Sequence, residues 1–139
     1  MVKVWPNVWF DADFPDDTVY DESGDELQFA GQAVARTIAE LLQARGYELE
    51  EPQNEEHLGW SFIAYRLGES FWMLLTFIDG YILQTKDRAW RVFSRQGEYL
   101  DFLTDLEACL KSDPRFSNLR WWVKDWPPDE GESVASPLG

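Results

Sequence analysis

Between Leu27 and Leu42 an apolar residue returns every three or four positions: Leu27, Ala30, Val34, Ile38, Leu41 and Leu42. That spacing draws one stripe down a helix and predicts an α-helix within 25–46, DELQFAGQAVARTIAELLQARG. Asp25 and Glu26 fall at its expected start, where the macrodipole favours acids; Arg45 lies in the last turn and Gly46 supplies the stop. A second stripe, Tyr99, Phe102, Leu103, Leu106, Cys109 and Leu110, predicts a helix over about 97–112 that Pro114 ends.

Elsewhere the apolar runs are short and rich in β-branched and aromatic residues. GWSFIAYRL (59–67) is followed by Gly68-Glu69 and then SFWMLLTFI (70–78), which Asp79-Gly80 joins to YILQT (81–85). Asp-Gly between two apolar runs predicts a primed hairpin turn, with positive φ at both central residues. VKVWPNVWF (2–10) is interrupted by Pro6 and predicts an edge strand, or two short pieces around a bulge. AWRVF (89–93) is a further strand or the lead into the second helix, and NLRWWV (118–123) is the last strand. The acidic segment 11–26, with Pro15 and Gly24, predicts a loop, and 47–57 a polar connection. The order β-α-β-β-β-α-β implies an α+β domain over 1–124. It has one antiparallel sheet of about five strands and two amphipathic helices on a single face. Residues 125–139, rich in Pro, Gly and acids, predict a loose tail.

This layout makes the adjacent Trp121 and Trp122 informative, because neighbours on a strand point to opposite faces. With Leu119, Trp121 and Val123 under the helices, Trp122 is expected on the open face between Arg120 and Lys124. Aromatics outnumber what one small core needs, and Trp5, Trp9, Trp122 and Trp126 lie on end strands or beside acid runs, with Trp9, Trp122 and Trp126 the expected anchors. Exposed tryptophans bordered by charge are the anchors that protein interfaces use.

Charge sharpens the picture. The net charge is −14, which argues against nucleic acid or an anionic membrane as partner. It is also uneven: residues 1–56 hold fourteen acids against only Lys3, Arg36 and Arg45, whereas 57–124 is close to neutral. Asp11, Asp13, Asp16, Asp17, Asp21 and Glu22 form the densest run and would steer a basic protein partner. One cysteine, Cys109, permits no internal disulfide and fits a reducing, cytoplasmic setting. No apolar run approaches the roughly 20 residues of a membrane span.

Candidate chemistry is sparse. His57, the only histidine, stands in a polar segment with no orienting group identifiable beside it, and Cys109 sits on an apolar helix stripe. No G-x-S-x-G, H-E-x-x-H, Cys-x-x-Cys or P-loop pattern occurs. Asp11, Asp13 and Glu22 occupy calcium-loop positions one, three and twelve, but Pro15 replaces a ligand and Asp16 stands where the turn wants Gly. No catalytic residue, metal or cofactor is therefore expected.

The layout of residues 1–124, with its acidic surface, resembles the small acidic α+β immunity proteins that bacteria encode beside toxins. The likeness rests on layout, not on a motif. It implies a non-enzymatic inhibitor that binds one cognate toxin, with acids such as those of 11–26 presented to a basic cleft. Two other readings stay open: a DNA mimic, with acids spaced like phosphates at about one charge per 1.7 Å of duplex, and a small α+β enzyme or ligand-binding domain.

Overall fold

The computed structural model describes residues 3–56, 58–89, 97–123 and 132–139. Its centre is an antiparallel sheet built on five long strands. These are β1 (Asn7–Ala12), β6 (Gly59–Arg66), β7 (Glu69–Phe77), β8 (Tyr81–Asp87) and β9 (Phe116–Trp122). Two short strands, β4 (Glu48–Leu49) and β5 (Gln53–Glu55), both pair with β6, giving the order β4-β6-β7-β8-β1-β9 with β5 beside β4. A separate ladder joins β2 (Val19–Tyr20) to β3 (Glu26–Gln28). Helices α1 (Gln32–Gln43) and α2 (Gly97–Ser112) pack against each other and against the sheet, α1 on β6 and α2 on β7 and β9. The fold is α+β with both helices on one face.

Alternation along the strands decides what goes under the helices. Val8, Phe10, Phe62, Ala64, Phe71, Met73, Leu75, Leu83 and Trp121 join Val34, Ile38 and Leu42 of α1 and Phe102, Leu103 and Leu106 of α2 in one core. Phe71 stacks on Phe102 at 4.5 Å between ring centroids, which locks the second helix over the middle of the sheet. Tyr99 enters the same stack, and its hydroxyl pairs with Thr85 Oγ1 at 2.9 Å.

Five local expectations are corrected. Helix α1 starts at Gln32, after Gly31 at φ 108°, because residues 26–28 are drawn into the β2–β3 ladder; Leu27 is accordingly exposed. β1 is an interior strand between β8 and β9, not an edge. Pro6 lies just before it, where a missing N–H breaks no ladder bond, and the Pro6 carbonyl accepts from the Thr85 hydroxyl at 2.7 Å. The first hairpin turns at Leu67-Gly68, both at positive φ (54° and 78°), one residue earlier than the sequence implies. The second hairpin has Asp79 and Gly80 both at positive φ (51° and 133°) as expected, but closes through three residues, Ile78, Asp79 and Gly80, since Phe77 pairs with Tyr81. Within the segments expected as coil, 11–26 contains β2 and the start of β3, and 47–57 contains β4 and β5. Residues 90–93, His57 and Trp126 lie outside the described residues.

A bulge in β9 explains how one strand feeds both faces. Trp9 pairs with Arg120 but Asp11 with Ser117, so β9 carries one residue more than β1 across the step. Asn118 sits there at φ 55°, and its side-chain amide donates to Asp11 Oδ2 at 2.6 Å. The extra residue returns Phe116 to the helix side, where it meets Phe10 edge-on at 5.5 Å.

The faces of the two tryptophans are as expected, but their exposure is not. Trp121 pairs with Val8 in the core; Trp122 pairs with Asn7 on the opposite side. Yet Trp121 is 0% and Trp122 1% exposed. Lys3, Trp5 and Glu132 close around Trp122, leaving a cavity of about 250 Å³. The termini meet here: the Trp5 N–H donates to the Pro137 carbonyl at 2.8 Å, and Val134 exchanges two backbone hydrogen bonds with Trp121. Residues 132–139, expected as loose tail, are thus seated on the domain. Val123, expected inward, is exposed beyond the strand end.

Trp121→Ala and Trp122→Ala should therefore both cost about 3–5 kcal/mol, as for other buried aromatic truncations. Urea denaturation of the two variants checks this, and a near-wild-type midpoint for Trp122→Ala would contradict the burial. Gly80 offers a second check. It lies at φ 133°, and a Cβ there would approach Trp9 Nε1 to 2.5 Å. Gly80→Val should cost about 1–3 kcal/mol through backbone strain and displacement of the indole, read from the same denaturation midpoint.

Candidate functional site

The acidic segment is held in place by its own carboxylates. Asp16 Oδ1 accepts from the N–H and hydroxyl of Thr18 at 3.0 and 2.6 Å, making a tight local turn. These hydrogen bonds hold its carboxyl below the usual aspartate range. Asp21 Oδ1 accepts from the N–H groups of Ser23 and Asp25, which closes the β2–β3 hairpin. Asp17 reaches farthest. Its two oxygens accept from the N–H groups of Gly31 at 2.7 Å and Ala33 at 2.8 Å. Helix α1 has no acid in its own first turn, so Asp17 does the work assigned from sequence to Asp25 and Glu26.

Further bonds tie the hairpin to the sheet. Asn54 Nδ2 donates to the Leu27 carbonyl at 3.1 Å, and the Trp60 indole donates to the Phe29 carbonyl at 3.1 Å. At the adjoining strand end, Gly59 has φ 138°, and a Cβ there would lie 2.0 Å from the Leu75 carbonyl oxygen. Only glycine lets β6 begin so close to β7.

Between the hairpin and these strand ends lies a cleft of about 680 Å³. Phe14, Tyr20 and Phe29 line it from the acidic segment; Leu58, Phe77, Ile78 and Tyr81 line it from the sheet. Tyr20, Leu58 and Phe77 are each more than half exposed, and Ile78 is 43% exposed. Large apolar side chains gathered this way are characteristic of interaction surfaces. Asp16 and Glu26 supply the negative rim. A smaller hollow of about 360 Å³ lies on the sheet face away from the helices, lined by Asn7, Trp72, Leu74, Ile82 and Gln84 among others, and it shares Leu58, Thr76 and Ile78 with the cleft.

Two of the hydroxyls lining the cleft are engaged within the protein. Thr18 is bound to Asp16, and the Thr76 hydroxyl donates to the Leu58 carbonyl at 2.8 Å. The Tyr81 phenol is pushed above its ordinary value by burial, and then by Asp17 and Asp16, so it stays neutral. Burial likewise raises the Cys109 thiol, which lies far from thiolate chemistry in the apolar face of α2. Another polar group, Asp105 with Tyr47 and Arg66, bonds α2 to the residue just before β4 and to β6 at 2.7 and 3.1 Å. Among the described residues no three His, Cys, Asp or Glu gather to hold a metal ion. The cleft therefore offers apolar contact and negative charge.

The candidates from sequence separate into three groups. Asp11, Asp13, Asp16 and Glu22 present exposed carboxylates, Asp11 also holding Asn118. Asp17 and Asp21 have structural work in a cap and a turn. Among the tryptophans, Trp122 is buried and Trp126 lies outside the described residues. Trp9 has the Arg120 guanidinium 4.1 Å over its ring and Gly80 against its edge, so much of its surface is already covered. The exposed apolar residues that line the cleft beside the acids are Tyr20, Leu58, Phe77 and Ile78. Sequence reasoning missed them, although Val19-Tyr20 inside an acid run and Phe77-Ile78 side by side at a strand end were available signals. Compared with protein-family models, curated proteins and solved structures, the chain gives no match. Among the described residues no helix is long and apolar enough to cross a membrane.

Asp17→Ala should lower stability by about 1–3 kcal/mol, since two N–H groups at a helix start lose a charged acceptor. Asp17→Asn should recover part of that loss. Asp16→Ala, which removes only an exposed local turn, should cost less than Asp17→Ala. Equal midpoints for the two alanine variants would refute the cap.

Proposed function

We propose that this protein is a non-enzymatic binding protein of the immunity type, which engages a basic protein such as a cognate toxin and blocks it. The observation that carries the reading is a group of exposed apolar side chains, Tyr20 from the acidic segment and Leu58, Phe77 and Ile78 from the sheet, gathered in one cleft against the most acidic segment of the chain. Acids alone would serve solubility, and apolar residues alone would be a core fragment. Together they form the combination a protein interface uses, with an apolar centre and a charged rim. The apolar centre also favours a protein partner over imitation of a phosphate backbone, where charge spacing carries the contact. A single buried thiol with no disulfide suits work in the reducing cytoplasm.

Steering by the rim makes a kinetic prediction. With a basic partner captured from the native host, association should slow about tenfold or more as salt rises towards 1 M, while dissociation changes much less. Neutralising Asp11, Asp13, Asp16 and Glu22 together should reproduce the high-salt association rate at low salt. Asp17 and Asp21 are spared because their loss would disturb the fold. Stopped-flow association that ignores salt would remove the basis for this function.

A further inference from the structure

Four of the exposed large apolar residues, Tyr20, Leu58, Phe77 and Ile78, line one cleft, and the acidic segment forms its wall. We infer that this cleft is an anchor pocket for one bulky apolar side chain, aromatic or long aliphatic, presented by a basic segment of a protein partner, with the flanking lysines or arginines paired to Asp16 and Glu26. The inference rests on the binding function proposed above and specifies its mode of contact.

Three observations select this occupant. The cavity, about 680 Å³, is of the size that takes an apolar group and buries most of it. Its floor is aromatic and aliphatic, and Phe77 is braced edge-on against Tyr81 at 5.0 Å, so a hydrophobic anchor would meet a fixed surface and not a mobile one. Two of its hydroxyls are spoken for, Thr18 on Asp16 Oδ1 and Thr76 on the Leu58 carbonyl. The charge at the rim sets the sign of the occupant, and it is negative on a segment already tied to α1 and the sheet. Complementarity therefore asks for cations flanking an apolar centre.

The probe is a synthetic nonapeptide with a central Trp, two lysines on each side and glycines at the ends; a second peptide has Ala at the centre. Binding is measured by calorimetry at low salt, and the contact is mapped by backbone amide shifts. The Trp peptide should bind at least tenfold more tightly than the Ala peptide and should shift Tyr20, Leu58, Phe77 and Ile78. Leu58→Ser combined with Ile78→Ser should remove that preference while leaving the weaker, charge-driven binding of the Ala peptide intact. Both substituted positions are exposed, and the denaturation midpoint of the variant confirms that it stays folded. Equal affinity for the two peptides would overturn the pocket and leave the acidic binding surface standing. Shifts centred on Trp72, Ile82 and Gln84 would also overturn it, by moving the anchor to the outer sheet face. Binding of neither peptide would overturn the pocket and the basic-partner reading together.

Discussion

The Asp17 carboxylate is the contact on which the arrangement of this chain turns. Helix α1 begins at a left-handed glycine with no acid of its own in the first turn, so its leading N–H groups need an acceptor from elsewhere. Asp17 supplies it across 14 and 16 residues of sequence. That carboxylate ties the acidic segment to the start of α1, and the Asn54–Leu27 and Trp60–Phe29 bonds hold the same segment against the sheet. The cleft exists because the segment is held there. A charged acceptor on helix N–H groups is worth more than a neutral one, which suits a contact that must hold a hydrophilic loop against the body of a domain.

The two tryptophans show a second constraint, that of a sheet with helices on one side only. Alternation sends Trp122 away from the helices, and an uncovered indole there would leave a large apolar ring in water. The chain resolves this with its own ends. Trp5 from the N-terminal segment and the seated stretch 132–139 meet beside Trp122, joined by the Trp5–Pro137 and Trp121–Val134 backbone bonds. The outer face is thus partly finished by the termini, and four exposed apolar side chains, Tyr20, Leu58, Phe77 and Ile78, gather at the other end of the strands, at the cleft.

What was legible in the sequence follows from range. Helix α2, four of the five long strands and the two hairpins are local patterns, and periodicity placed them within a residue or two; β1, expected over 2–10, runs from Asn7 to Ala12. Helix α2 even keeps the expected stripe intact, from Tyr99 to Leu110. The start of α1 was not legible, because Leu27 fits the helical stripe as well as Val34 does, and only the pairing of 26–28 with 19–20 removes it. The interior position of β1 was hidden by the opposite error: Pro6 signals an edge only if it lies within the ladder, and it lies one residue outside. The candidate site was half legible. Its acids are a run in the sequence, but Leu58, Phe77 and Tyr20 are far apart along the chain and meet only through the fold.

The acids divide into those that build the segment and those that remain for contact, and this division gives the site its character. Asp17 and Asp21 spend their charge on backbone N–H groups, so they stiffen the segment at the cost of some of its field. Asp11, Asp13, Asp16 and Glu22 keep exposed carboxylates on the scaffold so formed. A flexible acidic loop would attract cations equally well, but it would have to be ordered when a partner arrived, and that ordering subtracts from affinity. Here the ordering is already done within the fold by a cap and two local turns. The exposed apolar floor carries a solubility cost in the free protein, and a net charge of −14 opposes self-association through that floor. Charge thus acts on the two sides of recognition: it keeps copies of this chain apart and draws a basic partner to the same surface.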